Sequence, residues 1–367
     1  MFGAHIGAVA DDVDASPSTW TGVVNGRSSI LFAVLAGVSI ALLSGRTVPY
    51  TGEALTRVRV RLVIRAAWVF AIGSVLEALG TDFDVILGVY AVLFVLALPF
   101  LRWPPRRLFM AAGALAALTP PANLLLTQFA EAHDAADGRV VSLFLTGYYP
   151  ALIWWTFILV GLAVGRCDLG SPRTRAALGG AGLALTVVGY GVGWLTTQWW
   201  GGGQPLGGSD GFSERSDQWD RTWLVGATPH SGTTSEIVGS VGVAFIVITS
   251  CLVLAERLPR LTFPLASVGA MALTAYTGSI LAIWALDTRQ VEGTGLWLTY
   301  VAVTVLVATA WRLIFGKGPL ERLLAWSASR LAGGLRPRSL QSGSSTSRPD
   351  VVRPSGDGAP THYAERD

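Results

Sequence analysis

Acid–base chemistry near neutral pH draws first on histidine, and this chain has only four among its 367 residues. His230 stands in "ATPHSGTTSEIVG" (227–239), next to Ser231 and just before an apolar run. His5 stands in "MFGAHIGAVA", at the start of the chain. Either could act as the general base that takes a proton from an attacking hydroxyl or amine. Adjacent Ser and His side chains rarely aim at one another, and no partner acid is evident, so Ser231–His230 makes a weak nucleophile–base pair. Thr233 and Glu236 have the spacing of a capping box, so the second half of the segment reads as a helix start. Pro229 holds Thr228 extended and stiffens the entry. His133, in the hydrophilic stretch "EAHDAADGR", and His362, in the C-terminal tail, read as solvated.

Charged groups add three further candidates. Arg27 follows Asn25-Gly26 and precedes Ser28-Ser29. It either snorkels to lipid headgroups or, with Asn25 and Ser231, contacts a polar or anionic substrate. Glu77 closes a predicted helix and either pairs with an arginine or faces substrate. The stretch "TRVRVRLVIR" gathers Arg57, Arg59, Arg61 and Arg65 at the start of an apolar run. Guanidinium groups match phosphate geometry, so the cluster suits the phosphates of an acyl-CoA, although membrane topology alone also demands arginine there. No P-loop, dinucleotide-binding glycine turn, HExxH or CxxC pair is present, which argues against nucleotide hydrolysis, hydride transfer and zinc proteolysis, and no metal is expected. The glycine-rich "GGGQPLGGSDG" (201–211) follows no strand and reads as a flexible loop.

These residues depend for their placement on a membrane-embedded scaffold. The chain is 51% hydrophobic and 14% charged, with a mean hydropathy of +0.50, whereas soluble domains carry about 25% charged residues. Its apolar runs match the roughly 20 residues that a crossing helix needs. The fold class is therefore an all-α polytopic transmembrane bundle. Nine spans are predicted, at 28–45, 60–79, 85–101, 108–129, 141–164, 176–194, 237–254, 265–286 and 296–315. A tenth at 1–10 is about 15 Å long, half a crossing, and is expected to be a truncated first helix rather than a signal peptide. Pro120-Pro121 and Pro150 are expected to interrupt two spans.

The loops alternate in charge. Arg46, Arg102, Arg106, Arg107, Arg166, Arg173, Arg175, Arg257 and Arg260 fall on one side; Asp11, Asp82, Asp84, Glu131, Asp134, Asp287 and Glu292 fall on the other. The positive-inside rule places the arginine side and both termini in the cytoplasm of a plasma-membrane protein, with His230 outside. The net charge of +3 lies in these short loops, so nucleic acid is not an expected partner; the lipid bilayer is. Trp199, Trp200, Trp219 and Trp223 suit an interfacial aromatic belt. Cys167 and Cys251 are too few for a disulfide framework. Residues 1–332 form the membrane domain, and the Ser/Pro/Gly/Arg-rich 333–367 is expected to be a disordered tail. A homodimer is one assembly the sequence allows.

Four stretches carry a family resemblance: "NGRSSILFAVLAGVSIALLSGR" (25–46), "LTGYYPALIWWTFILVGLAVGRCDL" (145–169), "VGAMALTAYTGSIL" (268–281) and "WRLIFGKGPLERLL" (311–324). Together they resemble the bacterial YeiB-type family of multi-pass membrane proteins, which is similar to the catalytic domain of heparan-α-glucosaminide N-acetyltransferase. The resemblance implies transfer of an acetyl group from cytosolic acetyl-CoA to an extracytoplasmic sugar or envelope glycan. In the related enzyme, a histidine lies in the first non-cytoplasmic segment; here 11–26 contains none, and His5 matches in neighbourhood only. The competing expectation is a transporter for a small polar solute.

Overall fold

The computed structural model describes residues 22, 26–80, 84–136, 138–199, 224, 226–286 and 294–333. His5, Asn25, the predicted first span and the C-terminal tail lie outside the described residues. Among those described, the chain is helical and has no strand. In order, the helices are α1 (Arg27–Leu43), α2 (Gly52–Ala78), α3 (Leu87–Leu96), α4 (Pro105–Glu131), α5 (Ala151–Arg166), α6 (Pro172–Trp199), α7 (Thr234–Arg257), α8 (Pro259–Ala270), α9 (Ala272–Ala285), α10 (Thr294–Phe315) and α11 (Pro319–Gly333).

Four of them, α4, α6, α7 and α10, are long and apolar enough to cross a bilayer. The count reaches six if each of two bent pairs forms one span: 139–146 with α5, bent by 56°, and α8 with α9, bent by 72°. Ten crossings are therefore not established. The predicted span 28–45 is the 17-residue α1, and 85–101 divides into the 10-residue α3 and a 3-10 turn that carries a proline. The 27-residue α2 contains the whole arginine cluster.

Glycines set the helix pairing. In a bilayer, no hydrophobic force drives helices together, so close packing needs small residues at the contact. A side chain on Gly161 of α5 would collide with the Val34 carbonyl of α1, and one on Gly37 would come within 2.9 Å of the Gly161 Cα. The α6–α7 pair is built likewise: a Cβ on Gly189 would stand 2.6 Å from the Gly239 Cα. Large apolar side chains such as Leu118, Phe129, Val187, Leu306 and Ile314 point outward, as lipid-facing residues do.

Arg166 ties one end of this core. Its guanidinium donates to the carbonyls of Ser44 (3.3 Å), Arg46 (2.6 Å) and Leu101 (2.5 Å), and to the Ser44 hydroxyl (2.7 Å). One side chain thus satisfies the chain ends that follow α1 and α3. Nearby, Arg175 of α6 pairs with Glu256 of α7 through both carboxylate oxygens, at 2.5 and 2.6 Å. These loops form the arginine-rich end; Asp84, Glu131 and Asp134 mark the acidic end.

The prolines behave differently from expectation at one of the two places. Pro150 does sit at the 56° bend, immediately before α5. Pro120 and Pro121 instead lie inside the continuous α4. Pro120 has no N–H to give the carbonyl four residues back, which frees Ala116, and the Thr234 hydroxyl at the start of α7 takes that carbonyl at 2.9 Å. The break at Met271, between α8 and α9, was not expected from sequence.

Candidate functional site

The loop before α7 is organised by one buried carboxylate. Thr233 is the N-cap of α7, and its hydroxyl accepts the Glu236 amide at 3.1 Å, as the capping box requires. Glu236, only 4% exposed, reaches back beyond the cap. It accepts the backbone N–H groups of His230 and Gly232, each at 2.6 Å, and the Ser231 hydroxyl at 3.2 Å. His230 and Gly232 both take left-handed backbone angles (φ 61° and 65°), a conformation that three bonds to one side chain can hold. Ser231 is thereby committed to Glu236.

The held loop presents His230 to two tyrosines. The imidazole centroid lies 4.5 Å from the Tyr148 ring and 6.0 Å from the Tyr149 ring, in the bend before α5. Across from it, the start of α1 rests on the same loop: a Cβ on Gly26 would come within 3.3 Å of Pro229 and 3.4 Å of the His230 amide nitrogen. Half-buried Arg27 follows. Its Nε donates to the Tyr190 hydroxyl at 2.7 Å, that hydroxyl bonds Ser240 of α7 at 2.8 Å, and the guanidinium lies 4.7 Å from the Tyr190 ring centre. Arg27 is also within electrostatic range of Glu236.

Of the residues singled out from sequence, the fold brings Arg27, His230 and Ser231 together. Glu77 is exposed near the end of α2 and stands apart, by Gly88 and Tyr276. Arg57, Arg61 and Arg65 share one face of α2, with Arg59 on the opposite side. Arg65 was expected near a helix end, but it lies 13 residues beyond Gly52, about 20 Å into the helix. Tyr148, Tyr149, Tyr190 and Ser240 were not anticipated, because only tertiary contact relates them to His230. Cys167 and Cys251 are free thiols; burial pushes the Cys167 pKa up, and its thiol donates to the Ala163 carbonyl at 3.4 Å.

A cavity of about 550 Å³ lies between α1, α2, α3, α9 and α11. Arg65 and Glu321 line it toward the arginine-rich end, Tyr90 and Tyr276 toward the acidic end, and most of the remaining wall is apolar. The Tyr90 hydroxyl donates to the Ser29 carbonyl at 3.4 Å, and the Tyr149 hydroxyl stands beside the Ser29 side chain. Tyr90, Ser29 and Tyr149 thus form a chain of contacts that leads from the cavity wall to the His230 ring.

Glu321 is not free for chemistry on that cavity. Its Oε1 accepts the Leu273 and Thr274 amides at 2.9 and 3.1 Å, and its Oε2 takes the Thr274 hydroxyl at 2.5 Å. The break at Met271 exposes these first amides of α9, and α11 supplies the cap from a distance. Among the described residues, no group of three His, Cys, Asp or Glu side chains is placed to hold a metal.

Two family models match the chain. Residues 7–189 match "Heparan-alpha-glucosaminide N-acetyltransferase, catalytic", and 215–330 match "Protein of unknown function (DUF418)". No curated protein and no solved structure matches. The cluster joins the two matched segments, with Gly26, Arg27 and Tyr149 from the first and His230 and Glu236 from the second. The chain is a multi-pass membrane protein of the YeiB-type family, related to the heparan-α-glucosaminide N-acetyltransferase catalytic domain and so acyltransferase-like.

Proposed function

We propose that the protein transfers an acyl group, acetyl in the simplest case, from cytosolic acyl-CoA to a hydroxyl or amine of an extracytoplasmic sugar or envelope glycan. The observation that carries this reading is the cavity that is lined by Arg65 and by Tyr90, from which Ser29 and Tyr149 lead in sequence to His230. Its apolar wall suits the acyl-pantetheine arm, and Arg57, Arg61 and Arg65 on one face of α2 suit the CoA phosphates. His230 takes the proton of the attacking group, whose electron pair adds to the thioester carbonyl. The carbon–sulfur bond then breaks, and CoA leaves as the thiol after recovering a proton. Arg27 supplies positive charge beside the reacting centre. The arginine-rich end faces the cytoplasm of a plasma-membrane protein, by the positive-inside rule.

The test is label transfer from radiolabelled acetyl-CoA to a panel of amino sugars and envelope glycans, using purified protein in nanodiscs. Wild type should transfer label, and His230→Ala should lose at least about a hundredfold in rate, the usual contribution of a general base. His5→Ala, run beside it, decides between the two histidines. The helix breaks at 147–150 and at Met271 favour a second reading, a transporter, since transporters bind solutes at discontinuous helices. No label transfer to any acceptor, together with solute uptake into proteoliposomes, would overturn the enzyme reading.

A further inference from the structure

A second cavity, of about 520 Å³, opens between α9 and α10 and has no role in the chemistry above. Leu296, Val303, Val307 and Trp311 line it along about 22 Å of α10, and Gly278 and Ala282 of α9 face them. Helix α10 packs chiefly on α8 and leaves its side toward α9 largely unfilled. At Gly278, no atom stands within 4 Å of the position a Cβ would take. Three hydroxyls on the wall are already used inside the protein. Thr274 bonds Glu321, Ser279 donates to the Tyr276 carbonyl at 2.7 Å, and Thr299 donates to the Gly295 carbonyl at 2.8 Å. The wall therefore offers an occupant hydrocarbon contact and little else.

One end of this groove is charged. Trp311 and Pro319 line it at the arginine-rich end, and the Trp311 indole donates to the Lys317 carbonyl at 3.1 Å. Tryptophan is enriched at the headgroup level of a bilayer. Half-buried Arg312 follows Trp311 directly. Its guanidinium lies 5.0 Å from the Phe263 ring of α8, and its Nη1 has no hydrogen-bond partner. Among the described residues, neither Arg312 nor Lys317 has an ion-pair partner. The Glu321 carboxylate is already held by the Leu273 and Thr274 amides. Two uncompensated cations at one end of an apolar groove complement a molecule with an anionic head and a hydrocarbon chain.

We propose that the α9–α10 groove binds one anionic phospholipid, with an acyl chain along the groove and the phosphate beside Arg312 and Lys317. Phosphate oxygens accept the donors that both side chains carry. The groove is longer than the roughly 15 Å of hydrocarbon that one leaflet contributes, so a chain fits in it lengthwise from the arginine-rich end. The lipid also bears on the inner cavity, because Ala275 and Ser279 of α9 line both spaces. A chain in the groove supports that shared wall from the bilayer side. Its binding does not rest on the acyl-transfer reading.

The test is native mass spectrometry of the delipidated full chain, titrated with palmitoyl-oleoyl phosphatidylglycerol or the matching phosphatidylcholine, alongside unfolding temperatures. Wild type should bind one phosphatidylglycerol at least about tenfold more tightly than phosphatidylcholine, and the bound lipid should raise its unfolding temperature. Arg312→Gln and Lys317→Gln should each weaken phosphatidylglycerol about fivefold and leave phosphatidylcholine unchanged. Gly278→Leu fills the groove and should abolish the tight binding, with a lipid-free unfolding temperature no lower than that of wild type. Thr304→Phe fills the groove from α10 and gives the same readout should Gly278→Leu disturb folding. Equal affinity for the two lipids, unchanged affinity in both charge variants, or tight binding kept in both filled variants overturns the proposal. A lipid-free dimer that Gly278→Leu converts to a monomer also overturns it, and assigns the groove to a second copy of the chain.

Discussion

Glu236 holds the site together at the residue scale. Two amides and a hydroxyl converge on its two oxygens, and the two amides belong to residues in left-handed conformations. Glu236→Gln keeps the shape but turns an NH2 group toward one of those N–H donors, whichever way the amide is oriented. The expected cost is about 2–4 kcal/mol in unfolding free energy, read by tryptophan fluorescence in nanodiscs, with acyl transfer reduced because His230 loses its support. Ser231→Ala removes the bond to Glu236 and the contact with the Thr233 hydroxyl, and should cost only about 1 kcal/mol. His230→Gly separates folding from chemistry. It relieves the left-handed backbone by about 1 kcal/mol, so the protein should be at least as stable as wild type while transfer is lost. A transfer rate unchanged in His230→Gly would remove His230 from the mechanism.

The decisive contacts between elements are small-residue interfaces and capped breaks. Gly161 lies so close to the Val34 carbonyl that even a methyl group forces α1 and α5 apart. Gly161→Ala should therefore destabilise by about 1–3 kcal/mol, whereas Gly113→Ala, with open space around its Cβ, should be neutral or slightly stabilising. Equal melting temperatures for the two variants would contradict the packing described. The same pair of helices joins two of the stretches that carry the family resemblance: 25–46 supplies Gly37 and Ser44, and 145–169 supplies Gly161 and the Arg166 that ties them. The other two stretches meet at the α8–α9 break, where Glu321 of 311–324 caps Leu273 and Thr274 of 268–281. Gly318 is required there because a Cβ would collide with the Glu321 carboxylate.

For the whole molecule, the proposal needs CoA and sugar to approach from opposite faces. Cysteine accessibility tests this in a background with Cys167 and Cys251 replaced by alanine. Ala132→Cys, at the acidic end, should react with a membrane-impermeant maleimide on intact cells, and Gly170→Cys, at the arginine-rich end, only after permeabilisation. The inverse pattern would place His230 inside and defeat the transmembrane transfer. The helix lengths also bear on access. Because α1 and α5 are about 15 Å shorter than α2 and α4, the His230 cluster lies within the bundle, below the tips of the longer helices.

The sequence by itself determined the solvent and the class of element. Its scarcity of charge and the length of its apolar runs leave helices in a bilayer as the consistent outcome, and Thr233-x-x-Glu236 announced the start of α7. It could not divide those runs correctly. Hydropathy averages over a window and so misses the break at Met271, the 3-10 turn after α3 and the short reach of α1. Nor could it show that Pro120 would dock a neighbour without breaking its own helix, since that depends on Thr234 arriving from 118 residues away. The site is the same kind of object. Arg27, Tyr149, Tyr190, His230 and Ser240 come from four separate parts of the chain, and no local spacing encodes contacts that only helix packing creates.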